Sequence, residues 1–171
     1  MTERAGAVTF KGKPLTLVGT PLKVGDAAPD VELIGNDLAP VKLSSLNATP
    51  LVVVTVPSLD TPTCDTETRR FNQEATKLGD RAKVVVVSMD LPFAQKRWCG
   101  AAGVQNVLTL SDYRGGPFAR ASGLLIKELH LFARAILVFD TAGKLAYQQL
   151  VSEVSKEPDY AEALAAVAAA T

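Results

Sequence analysis

Residues 51–56 read LVVVTV, residues 57–64 read PSLDTPTC, and residues 65–78 continue as DTETRRFNQEATKL. The first run has the length and β-branched composition of a buried strand, whereas the last has the spacing of an amphipathic helix. A second apolar run, KVVVVSM, occupies residues 83–89. Two continuously apolar strands that flank a helix predict a β-α-β unit with parallel strands buried on both faces.

The remaining elements extend this unit into one predicted α/β domain over residues 1–171. Residues DTAG at 140–143 separate two strand-like runs and predict an antiparallel hairpin. The other expected elements are an N-terminal hairpin at about 8–18, a loop-rich segment at 21–50, a helical segment at 93–102, a short strand at 106–110, a short helix at 116–123 and a terminal helix at 158–170. Together they predict a thioredoxin-like fold, in which a central mixed β-sheet is flanked by helices.

Composition narrows the classes of partner. The chain has 18 basic and 18 acidic residues without a dense run of Lys or Arg, so nucleic acid is not an expected partner. Neither a signal-peptide core nor an apolar run of roughly 18 residues is present, so we expect a cytoplasmic protein that does not enter membranes. With two cysteines and one histidine, we expect neither a metal site nor a bound cofactor.

Cys64 occupies the point at which the predicted strand turns into a helix. If Thr61 is the N-cap, Pro62 is the first helical residue and Cys64 lies in the first turn. The helix dipole and unpaired amides stabilise an anion there, and cysteines at such positions have pKa values of about 3.5–7.5 instead of about 8.5. We therefore interpret Cys64 as a reactive thiol, the alternative being a small buried apolar residue.

Cys99 lies 35 residues after Cys64, on the segment that follows the next strand. Because the chain has no Cys-x-x-Cys motif, a redox reaction that used both thiols would join two helical elements and would require local unfolding. The alternative is that Cys99 is a core residue beside Trp98. The spacing alone leaves both interpretations open.

The combination of Pro57, Thr61 and Cys64 resembles the Pro-x-x-x-Thr-x-x-Cys active-site pattern of the peroxiredoxins. Other segments are similar to the thiol peroxidase branch of that family, namely SLDT at 58–61, RRFN at 69–72, DLPFAQ at 90–95, CG at 99–100, ARA at 133–135 and EPDY at 157–160. This resemblance extends over nearly the whole chain. Relatives often carry Phe where this chain has Trp98, a difference that could alter how readily the segment around Cys99 unfolds.

The resemblance implies a role for each of these residues. Cys64 would be the peroxidatic cysteine, which attacks a peroxide, and Cys99 the resolving cysteine, which forms a disulfide with it in the same chain. Thr61 and Arg134 would stabilise charge during the reaction, and Pro57 would shield the thiolate from water. The resemblance also implies hydrogen peroxide or organic hydroperoxides as substrates, thioredoxin as the reductant and a homodimeric assembly.

Other functions remain open on the residues alone. A cysteine hydrolase would use Cys64 as nucleophile and His130, the only histidine, as base. A thiol redox sensor would use the same two cysteines but oxidise once without turnover. An inert scaffold would carry two ordinary thiols.

Overall fold

The computed structural model describes all residues from 1 to 171. The eleven strands are β1 Glu3–Phe10, β2 Lys13–Val18, β3 Glu32–Ile34, β4 Pro40–Lys42, β5 Leu51–Thr55, β6 Lys83–Ser88, β7 Leu108–Ser111, β8 Leu125–Ile126, β9 Leu131–Phe132, β10 Ala135–Phe139 and β11 Leu145–Leu150. The four α-helices are α1 Pro62–Leu78, α2 Pro92–Ala102, α3 Pro117–Ala121 and α4 Tyr160–Ala170.

A seven-stranded mixed sheet forms the centre of the molecule, with the strand order β11-β10-β5-β6-β7-β3-β4. Strands β5, β6 and β7 are parallel, and β10 pairs with β5 in the antiparallel direction. One row across the sheet joins Ile136, Val54, Val86 and Thr109 in register. The predicted mixed sheet and its β-α-β unit are therefore confirmed.

The two faces of this sheet are covered differently. Helices α1 and α4 pack on one face over a buried apolar cluster that includes Val54, Val86 and Ile136, and part of α2 borders it. The other face buries a cluster around Phe118 of α3 and Phe132 of β9. Alternating strand residues supply the two clusters, because successive side chains of a strand point to opposite faces.

The ends of α1 follow from local chemistry. Proline suits the first helical position, because its missing N–H group would have had no partner there, and Pro62 begins the helix as predicted. The helix ends at Gly79, whose φ of 56° is in a region that other residues seldom adopt. Glu74 of the same helix is buried, and ion pairs to Arg70 and Lys77 compensate its charge.

A second, four-stranded sheet has the order β1-β2-β8-β9. Its β1-β2 hairpin extends further towards the N-terminus than the predicted residues 8–18. The sequence gives no indication of β8 and β9, nor of β3 and β4 within the loop-rich segment, because strands of two or three residues show no periodicity. None of the helices is both long and apolar enough to span a bilayer.

Candidate active site

Cys64 lies in the first turn of α1 and has no solvent exposure. It packs within the apolar cluster between α1 and the central sheet. The amides of this turn have no partner within the helix, so they create a positive environment around the thiol. The Thr63 hydroxyl donates to the Ser155 carbonyl at 2.9 Å, which attaches this end of the helix to the loop after β11.

Arg134 points its guanidinium at this thiol. It directly precedes β10, is 1% exposed, and its Nη2 donates to Cys64 Sγ at 3.3 Å. The Nε and Nη2 atoms also donate to the Val154 carbonyl at 3.0 and 2.9 Å. These bonds fix the plane of the guanidinium, so its charge is held beside the sulfur before any substrate arrives.

Glu67 is a third member of this buried group, and sequence reasoning missed it. Its Oε2 accepts a hydrogen bond from Arg134 Nη1, whereas its Oε1 has no hydrogen-bond partner. Burial raises the pKa of Glu67 to about 7, although the charge and hydrogen bond of Arg134 act in the opposite direction. The sequence does contain one indication that Glu67 is buried. Glu67 and Phe71 follow Cys64 at helical spacing, which predicts that the carboxyl lies on the buried face.

The charge of Arg134 is secured despite its burial. Loss of water disfavours the cation, but the negative charges of Glu67 and Cys64 outweigh this effect and raise the pKa of the guanidinium above its usual value. Arg134 is therefore a cation at neutral pH. Arg134 is thus paired with the Glu67 carboxyl group on one side and with the Cys64 thiol on the other.

Thr61 and Pro57 lie on the loop that leads from β5 into α1. Thr61 has the backbone conformation of an N-cap, and its carbonyl accepts from the Asp65 amide at 2.9 Å. The expected side-chain cap is absent, and the Thr61 hydroxyl instead donates to the Ser58 carbonyl at 2.9 Å. Pro57 is buried at the start of this loop.

Asp90 holds the same loop in place from the end of β6. One of its carboxylate oxygens accepts from the Leu59 amide at 2.8 Å and from the Ser88 hydroxyl at 2.7 Å. The other accepts from the Ser58 hydroxyl at 2.7 Å. Asp90 therefore fixes the approach to α1, a positioning role that nothing in its local sequence pattern indicates.

Cys99 lies on α2 and is half-buried. Its Sγ is 3.6 Å from the hydroxyl of Thr109 on β7. Burial raises the pKa of the Cys99 thiol, and the Thr109 hydrogen bond only partly opposes this effect. Both cysteines are free thiols in this structure, and they contact groups at different strands of the sheet.

An open groove of about 590 Å³ lies between Asp60 and α2, where Phe93, Arg97 and Trp98 contribute to its walls. His130 lies elsewhere. It is exposed in the turn between β8 and β9, and its φ is 52°. No hydrogen bond joins His130 to Cys64, and no cluster of His, Cys, Asp or Glu side chains suits a metal ion.

Comparison with known proteins agrees with this geometry. A sequence model of the Redoxin family matches residues 23–164. The thiol peroxidase of Bacillus subtilis (strain 168) is 48% identical over 162 residues, which cover 95% of this chain and 96% of that protein. The thiol peroxidase of Oceanobacillus iheyensis is 50% identical over 153 residues, which cover 90% of this chain and 93% of that protein.

Among solved structures, a peroxiredoxin-like protein from Aquifex aeolicus has a TM-score of 0.88 and 42% sequence identity, with 98% of both chains covered. A peroxidoxin, BcpB, from Mycobacterium tuberculosis has a TM-score of 0.73 and 29% identity, with 88% of this chain and 99% of that chain covered. The fold is therefore thioredoxin-like, as the sequence predicts. The chain belongs to the Redoxin family, within which it is a member of the thiol peroxidase branch of the peroxiredoxins and a thiol-dependent peroxidase.

Proposed function

We propose that Cys64 is the residue that reduces the peroxide, and that the catalysed reaction runs through its sulfenic acid. The main support is the contact of 3.3 Å between Arg134 Nη2 and Cys64 Sγ, two residues that are both buried. A fixed cation at this distance favours the thiolate, which is the nucleophilic form of cysteine. No other thiol in the chain has a charged group as a hydrogen-bond partner.

The first step is a displacement at oxygen. The Cys64 thiolate attacks one peroxide oxygen, an S–O bond forms, and the O–O bond breaks. The departing oxygen takes up a proton and leaves as water from hydrogen peroxide, or as an alcohol from an organic hydroperoxide. Sulfur is oxidised to the sulfenic acid, and the peroxide is reduced.

Charge on the departing oxygen needs hydrogen-bond donors that are already in place. The amides of Thr63 and Cys64 belong to the unpaired first turn of α1, and the Arg134 guanidinium lies beside the sulfur. The Thr61 hydroxyl already donates its proton to the Ser58 carbonyl. We therefore assign Thr61 an orienting role, in which its free lone pairs accept a hydrogen bond from the peroxide.

Cys99 is proposed to resolve the sulfenic acid. Cys99 contacts Thr109 on β7, whereas Cys64 contacts Arg134, which adjoins β10. Strands β7 and β10 are three inter-strand spacings apart in the sheet, a distance of about 14 Å. A disulfide requires Cα atoms within roughly 4.4–6.8 Å, so α2 has to leave its position before the bond can form. The raised pKa of the Cys99 thiol keeps it protonated until then.

The proposal includes thioredoxin as reductant, because a protein dithiol can open the Cys64–Cys99 disulfide by thiol–disulfide exchange.

The proposal also includes a homodimeric assembly in the cytoplasm. Leu91 and Tyr113 are exposed apolar side chains that line one surface cavity, which gives a second copy an apolar surface to cover.

Peroxide-dependent oxidation of a thioredoxin and thioredoxin reductase system tests these roles. Wild-type protein should turn over, while Cys64→Ser and Cys99→Ser should not, and peptide mapping should find the Cys64–Cys99 bond in the oxidised wild type. Cys99→Ser should still form the sulfenic acid once. A wild type that oxidises once and never cycles would instead indicate a redox sensor. Full activity in Cys64→Ser would exclude Cys64 as the nucleophile.

A further inference from the structure

The two proposed redox cysteines are connected through their sequence neighbours. Asp65 directly follows Cys64, and Trp98 directly precedes Cys99. The Trp98 indole Nε1 donates to Asp65 Oδ1 at 3.0 Å, so this bond joins the first turn of α1 to α2. It therefore lies between the helix that is fixed around Cys64 and the helix that has to move.

Arg69 strengthens the same connection. Its Nε donates to Asp65 Oδ2 at 2.9 Å, and its guanidinium carbon lies 5.7 Å from the centre of the Trp98 ring. Its Nη1 donates to the carbonyl of Ala102, the last residue of α2, at 3.2 Å. Asp65 and Arg69 thus contact α2 on both sides of Cys99. We call Asp65, Arg69, Trp98 and Ala102 the α1–α2 clamp.

The second half of α2 has no fully buried residue; its other contacts are the packing of the partly buried Trp98 and Ala102 on the apolar cluster and the contact of Cys99 with Thr109. Only Pro92 and Gln95 are buried among its eleven residues, and both are in its first half. Gln95 anchors that half by donating to the Leu110 carbonyl at 2.8 Å and to the Ser88 hydroxyl at 3.0 Å. Segments with few buried apolar contacts open most readily, so the polar contacts of the clamp carry much of the attachment around Cys99.

We propose that the α1–α2 clamp sets the rate at which Cys99 resolves the Cys64 sulfenic acid, with Trp98 as its central positioning residue. The inference rests on the proposed function, since it presupposes that Cys99 is the resolving thiol. The bond between Trp98 and Asp65 must break before α2 can bring Cys99 to Cys64. The clamp consequently prolongs the life of the sulfenic acid.

The step controlled in this way is a condensation. The Cys99 sulfur attacks the sulfenic sulfur of Cys64, an S–S bond forms, and the S–O bond breaks. The hydroxyl group leaves with the proton of the Cys99 thiol as water. During the wait before this step, a second peroxide molecule can oxidise the sulfenic acid to the sulfinic acid, which removes Cys64 from the cycle.

Trp98→Phe is the decisive variant, because it keeps an aromatic ring over which Arg69 can stack while it removes the indole donor together with part of the ring surface. Reduced protein is mixed rapidly with hydrogen peroxide and quenched with an alkylating agent, and sulfenic acid and disulfide are then quantified by mass spectrometry. We expect disulfide formation about three- to tenfold faster than in wild type, the range expected for the loss of one hydrogen bond. Sulfenic acid formation should keep its wild-type rate, whereas general damage to the fold would slow both steps.

Two further variants sharpen this test. Arg69→Gln removes the other half of the clamp and should also speed disulfide formation, so the proposal does not depend on one substitution. Lys96→Gln is the matched control, because Lys96 is an exposed residue of α2 outside both the clamp and the groove, and its resolution rate should equal that of wild type. In Trp98→Phe, the peroxide concentration that inactivates half of the enzyme should rise by the same factor as the resolution rate.

The possible outcomes distinguish a failure of the clamp proposal from a failure of the proposed function. If wild type and Trp98→Phe form the disulfide at equal rates, or if the variant is slower, the clamp does not control resolution. If wild type forms the sulfenic acid but never the disulfide, Cys99 is not the resolving cysteine, and both proposals are overturned. Hydrogen exchange of the α2 amides in reduced protein provides a direct check, since the clamp requires faster exchange in Trp98→Phe.

Discussion

Cys64 and Cys99 have opposite surroundings in the same molecule. Cys64 has no solvent exposure, contacts a fixed cation, and lies in the first turn of a helix with six buried residues. Cys99 is half-buried, contacts a neutral hydroxyl, and lies on a helix with two buried residues. The comparison separates two requirements of a two-thiol cycle. In the cycle proposed above, the attacking thiol needs a rigid electrostatic environment, whereas the resolving thiol needs a helix that can move.

Removing the Arg134 guanidinium should abolish most of the difference between the surroundings of Cys64 and those of Cys99. We expect Arg134→Met, combined with Glu67→Gln so that no unpaired carboxylate remains buried, to slow sulfenic acid formation by about 100- to 1,000-fold, the usual effect of deleting one preorganised charge donor. Stopped-flow measurement with hydrogen peroxide at pH 7 gives this rate. Arg114→Met changes an exposed arginine and serves as control. A double variant within threefold of wild type would mean that the thiolate does not depend on Arg134.

The buried carboxyl beside Arg134 should make the stability of the protein pH-dependent. The pKa of Glu67 is about 7 in the folded chain against an ordinary value of 4.5, so the folded state binds more protons between these values. The free energy of unfolding should therefore fall as the pH rises from 4.5 to 7, and Glu67→Gln should remove roughly 1–3 kcal/mol of this decline.

Guanidinium chloride unfolding at pH 5 and pH 8 measures this effect. Asp112, whose pKa burial raises to about 6, is present in both proteins, so the difference between them isolates Glu67. Glu32→Gln, at an exposed carboxylate, should leave the decline unchanged. A decline of the same size in Glu67→Gln would show that this carboxyl ionises at its ordinary pH.

The smallest effect is expected at Cys99, the proposed resolving thiol. The hydroxyl of Thr109 lowers the pKa of Cys99 slightly, against the larger effect of burial. Thr109→Val should therefore raise the pKa of Cys99 further and slow its alkylation at pH 8 about twofold, as expected for the loss of a weak hydrogen bond. Cys64→Ser protein leaves Cys99 as the only thiol for this measurement. Thr109→Ser retains the hydroxyl and should react at the original rate, and faster alkylation of Thr109→Val would contradict the expectation.

The sequence predicts the parts of this molecule that long patterns determine. Continuous apolar runs at 51–56 and 83–89 predict the parallel strands, and the position of Cys64 after Pro62 predicts a thiol in the first helical turn. Strands β8 and β9 are set by their pairing partners rather than by periodicity, so they were missed. The Thr61 hydroxyl had two possible partners, and only the folded loop determines that it bonds to the Ser58 carbonyl.

The pairing of Glu67 with Arg134 joins residues 67 positions apart, and no local pattern specifies it. Helical spacing from Cys64 could have predicted that Glu67 lies on the buried face of α1. It could not have predicted that Arg134 is the cation that compensates the charge of Glu67. The contact between Trp98 and Asp65 likewise depends on how two helices lie side by side. Long-range pairs of this kind determine how the two thiols differ, although the thiols themselves are evident from the sequence.

The groove between Asp60 and α2 has a further consequence for the order of events. Five of its six lining residues, Phe93, Ala94, Arg97, Trp98 and Ala101, belong to α2. In the proposed cycle α2 leaves to deliver Cys99, and the groove then loses this wall. A molecule that needs the groove can therefore bind only before resolution. Binding in the groove and resolution by Cys99 therefore exclude each other, because both depend on the position of α2.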